Sequence, residues 1–174
     1  MSFRIPEVET GTRPELAEQE ARIAAARGRV SALYKILLNS PAVCDGWEQM
    51  LSAVRNKSSL NAAVREMIIL RVAVLNGASY EFEAHIPHAQ KAGISDAKIE
   101  ALKTAAIGPE FSELEQAILS ATDTLTREVK LSDAQFDRLR PHFNPGELVE
   151  VMATIGAYNM VSRFLIAMNI VGKH

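Results

Sequence analysis

The chain has 174 residues, 48% apolar and 23% charged, enough for one packed domain with a short arm and unlike a disordered or collagen-like composition. Nineteen basic and 21 acidic residues leave a net charge of −2 without a basic block, which argues against a nucleic-acid partner. The single cysteine, Cys44, excludes an intramolecular disulfide, a CxxC redox pair and a thiolate-rich zinc site.

Residues 1–13, with Pro6, Gly11 and Pro14 beside them, read as an extended N-terminal arm, and residues 14–174 as one helical domain. Apolar residues recur at three- and four-residue spacing almost throughout. They predict helices over 14–28, 30–39, 41–56, 60–76, 79–92, 95–106, 112–128, 132–142 and 144–171. Ser40-Pro41 supplies a cap and an N1 proline. Ser112-Glu113-Leu114-Glu115 and Ser132-Asp133-Ala134-Gln135 read as capping boxes, and Asn144-Pro145-Gly146-Glu147 joins a cap, an N1 proline and an acidic N3 residue. Gly77, Gly93 and Gly108 are suited to closing helices in the left-handed conformation. The fold class expected is therefore all-α.

Two helices are apolar around most of their circumference. Residues 60–76 carry only Arg65, Glu66 and Arg71 as charges, and 144–171 is rich in Val, Met, Ile, Ala and Phe. Two such helices exceed what one small core needs, so a homo-oligomer is expected. The richest apolar stretch, Leu148 to Val171, is interrupted by Glu150, Asn159, Ser162, Arg163 and Asn169, and no charged-then-apolar signal opens the chain. A reduced, cytoplasmic protein without a membrane partner is the expectation.

Glu66, a carboxylate on a nearly apolar helix, either faces a gap or is buried with a partner such as Arg65, Arg71 or a distant arginine. In the following helix Phe82, Ile86 and Ala89 form an apolar ridge, and Glu81, His85, His88 and Ala92 form a half-polar stripe beside it. Glu81 and His85 are i,i+4 neighbours, so the carboxylate can set the imidazole tautomer and raise its pKa, the minimum apparatus for moving a proton near neutrality. The same stripe taken as a metal site would need a further ligand, and no metal is expected. Glu81 also suits a helix N-terminus on electrostatic grounds alone, and His85 could be an ordinary interior histidine. Arg163, four residues after Asn159, could clamp a carboxylate or hold a subunit interface. Cys44 has no neighbouring histidine and reads as an inert buried thiol. No nucleotide, flavin, covalent-serine or haem motif is present.

The run Arg65-Glu66, Arg71, Tyr80-Glu81-Phe82, His85, Ala89, Ala92-Gly93-Ile94-Ser95, Ile99 and Leu102 resembles the carboxymuconolactone decarboxylase-like family, which includes the alkylhydroperoxidase D-like proteins. The likeness extends through Tyr34, Leu37, Ser40-Pro41, Glu115 and Gly156-Ala157-Tyr158-Asn159, covering about residues 30–171. It implies an all-helical, cofactor-independent protein assembling as a trimer or hexamer. In the peroxidase branch the motif is Glu-x11-Cys-x2-Cys-x3-His, and counting from Glu66 puts its cysteines at Ala78 and Glu81 and its histidine at His85. Both redox cysteines are absent, so thiol-dependent peroxide reduction is not expected. The decarboxylase branch needs none. The resemblance then implies a lyase acting on a carboxylated lactone or similar small acidic metabolite, with Glu66, Glu81 and His85 as proton handlers. Arg71, Tyr80, His88 and Arg163 are the candidate substrate-binding residues. A peroxide-defence protein and a non-catalytic oligomeric binding module are the alternatives.

Overall fold

A computed structural model describes residues 3–104 and 106–171. Met1 and Ser2 of the expected arm, Ala105 of the expected helix 95–106, and residues 172–174 of the expected domain lie outside the described residues. Among the described residues the secondary structure is helical, with no strand. The chain divides into two compact units, Met1–Lys57 with Leu165–His174, and Ser58–Phe164.

In the first unit the arm is held by hydrogen bonds from and to its backbone rather than by a helix of its own. Val8 N–H donates to the Lys35 carbonyl at 3.0 Å, Asn39 Nδ2 to the Pro6 carbonyl at 2.8 Å, and Gly11 N–H to the buried Glu20 carboxylate at 3.0 Å. Three helices follow: α1 (Ala17–Arg27), α2 (Ala32–Leu37) and α3 (Pro41–Ser52). The expected helix 14–28 opens as a 3-10 turn over Pro14–Leu16, and 41–56 gives way to a π turn over Ala53–Lys57. Pro41 does sit at N1 of α3, but the Ser40 side chain makes no capping bond.

The second unit contains α4 (Ala62–Leu75), α5 (Ser79–Lys91), α6 (Asp96–Ala101), α7 (Glu113–Glu128) and α8 (Asp133–Asp137), and α9 (Pro145–Ala167) begins in it. Asn61 caps α4 by accepting from Ala63 N–H at 2.8 Å. The eight consecutive residues from Glu66 to Ala73 are all buried, as the even spread of apolar side chains around α4 requires. α4 packs against α5 and α7. Met67, Leu70, Ala73, Phe82, Ala89, Ile94, Ile99, Leu102, Phe111 and Leu119 form one apolar cluster, so the predicted Phe82–Ile86–Ala89 ridge faces inward.

The polar punctuation mostly agrees. Both serine capping boxes form, and Asn144 and Glu147 exchange reciprocal bonds at 2.9 and 3.0 Å. Gly77 (φ +68°) and Gly93 (φ +89°) reverse the chain after α4 and α5 in the left-handed region. Gly108 does not have a positive φ, and the helix expected over 95–106 stops at Ala101. The reason lies on another helix: Arg71 Nη1 binds the carbonyls of Leu102 and Thr104 at 2.8 and 2.7 Å, taking acceptors that a longer helix would have used. The expected helix 132–142 is likewise shorter, five residues of α8 followed by a 3-10 turn at Arg140–His142 around Pro141. The last helix ends at Ala167 rather than 171.

Candidate functional site

α4 and α5 are joined by the tight reversal at Gly77, which makes them antiparallel neighbours and brings residues near their middles together. Glu66, in the second turn of α4, and His85, in the second turn of α5, meet there. His85 Nδ1 lies 2.6 Å from Glu66 Oε2, and His85 Nε2 lies 3.2 Å from Glu81 Oε1 one turn earlier on α5. The side chains of His85, Glu66 and Glu81 are only 4%, 5% and 10% exposed.

This arrangement has a consequence for proton count. An ionised carboxylate only accepts hydrogen bonds, whereas a neutral imidazole carries one N–H. With a carboxylate at each ring nitrogen, a neutral ring would turn a lone pair toward a carboxylate oxygen. The geometry is satisfied when the cluster holds one further proton, and an imidazolium donating both ways provides it. The His85 pKa reflects the same competition. Burial is the largest single influence and pushes it down, but the hydrogen bonds from Glu66 and Glu81 and their charges outweigh burial, and the net direction is up.

The surroundings complete the picture. The buried Tyr158 ring stands perpendicular to His85 at 5.4 Å between centroids, and the exposed His88 ring lies at the same distance, tilted by 49°. Arg65 Nε stands 3.6 Å from Glu66 Oε1, giving an alternating run of cation, anion, cation and anion from Arg65 through Glu66 and His85 to Glu81. Tyr80 is half-buried in the first turn of α5.

Arg71 is not placed as a substrate anchor should be. It is 1% exposed, and its fork is closed on Asp123 by two 2.6 Å bonds, with the carbonyls of Leu102 and Thr104, just past α6, on Nη1. It is a structural pin joining α4, α7 and the end of α6. Arg163 is exposed, and its polar contact among the described residues is the Thr126 carbonyl at 3.4 Å, outside the triad. Asn159 is buried in a separate network, accepting from Asn76 and donating to Thr126, both at 3.0 Å. Arg65, which the sequence suggested only as an ion-pair partner for Glu66, is the arginine beside the triad.

Cys44 is fully buried, and desolvation, reinforced by Asp45 and Glu48, pushes its thiol up to about 11. A thiol in that state is almost entirely protonated at neutral pH and is a poor nucleophile. Among the described residues no group of three or more His, Cys, Asp or Glu side chains is arranged to hold a metal ion, and no helix is long and apolar enough to cross a membrane.

Comparison with known proteins gives a consistent picture. The model of the carboxymuconolactone decarboxylase family matches residues 41–124, a span holding Arg65, Glu66, Arg71, Glu81, His85 and Asp123. An uncharacterised protein of Bacillus subtilis strain 168, YdfG, is 29% identical over 114 residues, covering 64% of this chain and 78% of its own. A solved alkylhydroperoxidase AhpD core, a peroxidase-related protein from Ralstonia eutropha JMP134, superimposes with a TM-score of 0.83 at 16% identity, covering 98% of this chain and 92% of that one. The debrominase Bmp8, solved in complex with 2,3,4-tribromopyrrole, gives a TM-score of 0.79 at 15% identity, covering 97% and 91%. At such identities the structural likenesses establish the fold. The match over residues 41–124, with Glu66 and His85 joined inside it, makes this chain similar to the carboxymuconolactone decarboxylase family, and the fold around it is the all-helical AhpD-like one.

Proposed function

We propose that this chain is a cofactor-independent acid–base enzyme of the carboxy-lyase kind, releasing CO2 from a carboxylated lactone or a similar small acidic metabolite. The observation that carries the reading is the buried imidazole of His85 flanked by Glu66 and Glu81 at 2.6 and 3.2 Å. In the reaction the bond between carbon and carboxylate breaks and CO2 departs. The electron pair left behind is spread into the lactone as an enolate-like anion. His85 gives its proton to that carbon, closing the C–H bond and becoming neutral. A proton from solvent restores the imidazolium by way of Glu81, the more exposed of the two carboxylates. Substrate anion and one proton thus become CO2 and a neutral lactone.

Thiol-based peroxide reduction is the weaker reading, because it needs a thiolate and a resolving thiol. Ala78 and Glu81 occupy the positions those thiols would take, and Cys44 is held protonated. A cytoplasmic setting fits a chain whose cysteine is a free buried thiol. The test is CO2 release from 4-carboxymuconolactone and its analogues. His85→Ala is expected to lower the rate by about 10²–10⁴, the usual contribution of a placed general acid. The wild-type rate should decline as pH rises through the raised pKa of His85. Glu81→Gln removes one of the contacts that raise it, so that limb should move to lower pH. Wild-type protein that releases no CO2 from any member of the panel ends the lyase reading and leaves the binding-module alternative.

Self-association as a trimer or hexamer belongs to the same proposal. Val149, Met160 and Ile166 on α9 stand 67%, 40% and 46% exposed, an arrangement that solvent disfavours and a second subunit would cover. Sedimentation equilibrium at micromolar concentration is expected to return a multiple of the chain mass, and a monomer would contradict it.

A further inference from the structure

α4 carries two arginines, and they are treated oppositely. Arg71 uses both its Nη groups and its Nε on Asp123 and two carbonyls. Arg65 is also largely enclosed, its side chain 15% exposed, yet its Nε is buried with no hydrogen-bond partner among the described residues. Its acidic neighbour is Glu66, whose Oε1 is 3.6 Å away, within ion-pair range but beyond a hydrogen bond. Glu66 directs its other oxygen to His85 at 2.6 Å. Buried guanidinium donors are rarely left unmade, and one left open beside a proton-handling cluster is placed to receive a ligand.

We infer that Arg65 is the carboxylate anchor of this site, taking an anionic substrate group on its unpartnered Nε, beside the Glu66 that holds His85. The inference rests on the acid–base reading above for the identity of the site. The charges favour this use. Arg65, Glu66, protonated His85 and Glu81 sum to zero, so the enclosed cluster accepts a monoanion at the cost of one net negative charge. That charge leaves the bound carboxylate when it departs as neutral CO2, so the ground state is strained and the product relieved. A planar guanidinium suits the task better than an ammonium, because its fork fixes the orientation of the carboxylate as well as attracting it. The ligand class is therefore a small lactone or related ring bearing one carboxylate, and neutral analogues should gain nothing from this residue.

The experiment uses γ-butyrolactone-γ-carboxylate and its methyl ester as probes, titrated calorimetrically into wild type, Arg65→Gln, Arg65→Lys and Arg163→Gln. Wild type should bind the acid about tenfold or more tightly than the ester, the scale of a charge-assisted hydrogen bond. Arg65→Gln should lose that preference while binding the ester as before, Arg65→Lys should fall between, and Arg163→Gln should match wild type. In the wild-type protein the Arg65 Nε–H resonance should shift as the acid is added, a readout that needs no variant to fold. An acid-to-ester ratio unchanged in Arg65→Gln, no preference in wild type, or a stationary Nε–H resonance overturns the anchor. CO2 release bears on the lyase reading alone: acid binding through Arg65 without turnover spares the anchor, and turnover indifferent to Arg65 spares the lyase.

Discussion

Replacing His85 by leucine is expected to cost about 3–5 kcal/mol of folding stability near pH 6, the scale of a buried ion pair that loses one member. Leucine approximates the volume of the ring, so the loss reports charge rather than a cavity. Glu66 and Glu81 would be left enclosed without the group that separates them. Adding Glu66→Leu should recover part of the loss, since removing the stranded carboxylate is then favourable, and a double-mutant cycle in urea measures the coupling. The pH dependence gives a second signature. His85 has an ordinary value of 6.5, and its pKa is raised in the folded protein. The native state therefore keeps this proton at pH values where the unfolded chain has released it. Its stabilisation is complete below about 6.5 and is lost as pH rises through the higher folded value. Urea midpoints should fall over that interval in wild type, and this component of the slope should be absent from His85→Leu. Equal slopes in the two proteins would mean that the ring is not held between charges in solution. The groups facing it are Glu66 from α4, Glu81 and His88 from α5, and Tyr158 from α9, with Arg65 behind Glu66.

Arg71→Met should have an effect of similar size, about 3–5 kcal/mol, for a different reason. The methionine would fill most of the channel but satisfy none of the acceptors. Asp123 would lose both of its 2.6 Å bonds, and the carbonyls of Leu102 and Thr104 would lose their donor. Adding Asp123→Leu should return a substantial part, leaving the two carbonyls as the residual cost. Because those carbonyls lie in the segment that directly follows α6, hydrogen exchange should accelerate over residues 99–104 before it does in α4. A loss below about 1 kcal/mol would show that the fork is not made in solution.

The two arginines of α4 mark the limit of what could be read in advance. The helix itself was legible, since apolar residues spread around its circumference leave burial as the stable outcome. The meeting of Glu66 with His85 was also within reach, because a reversal at Gly77 sets two antiparallel helices and the 19-residue interval matches a known motif. The role of Arg71 was not, because its partner Asp123 lies 52 positions away and no local pattern links them. The same arginine explains why α6 stopped short of its predicted end: the carbonyls of Leu102 and Thr104, just beyond Ala101, are captured from another helix, and the glycine at 108 had no part in it. Arg65 was read as an ion-pair partner for Glu66, which the 3.6 Å contact bears out, and not as a substrate-binding residue. A long side chain can fold back where the backbone directions diverge, and spacing alone does not register that.

Glu81 stands where a thiol stands in the peroxidase-type motif. A sulfur centre finishes its work as a disulfide and must be reset by an electron donor that docks and departs. An imidazole bracketed by carboxylates, used as the acid proposed above, is reset by a hydrogen ion from water. On that proposal nothing around the start of α5 has to accommodate a reductant, and with Ala78 and Glu81 in the two thiol positions an oxidising shift in the surroundings finds no sulfur there to disable.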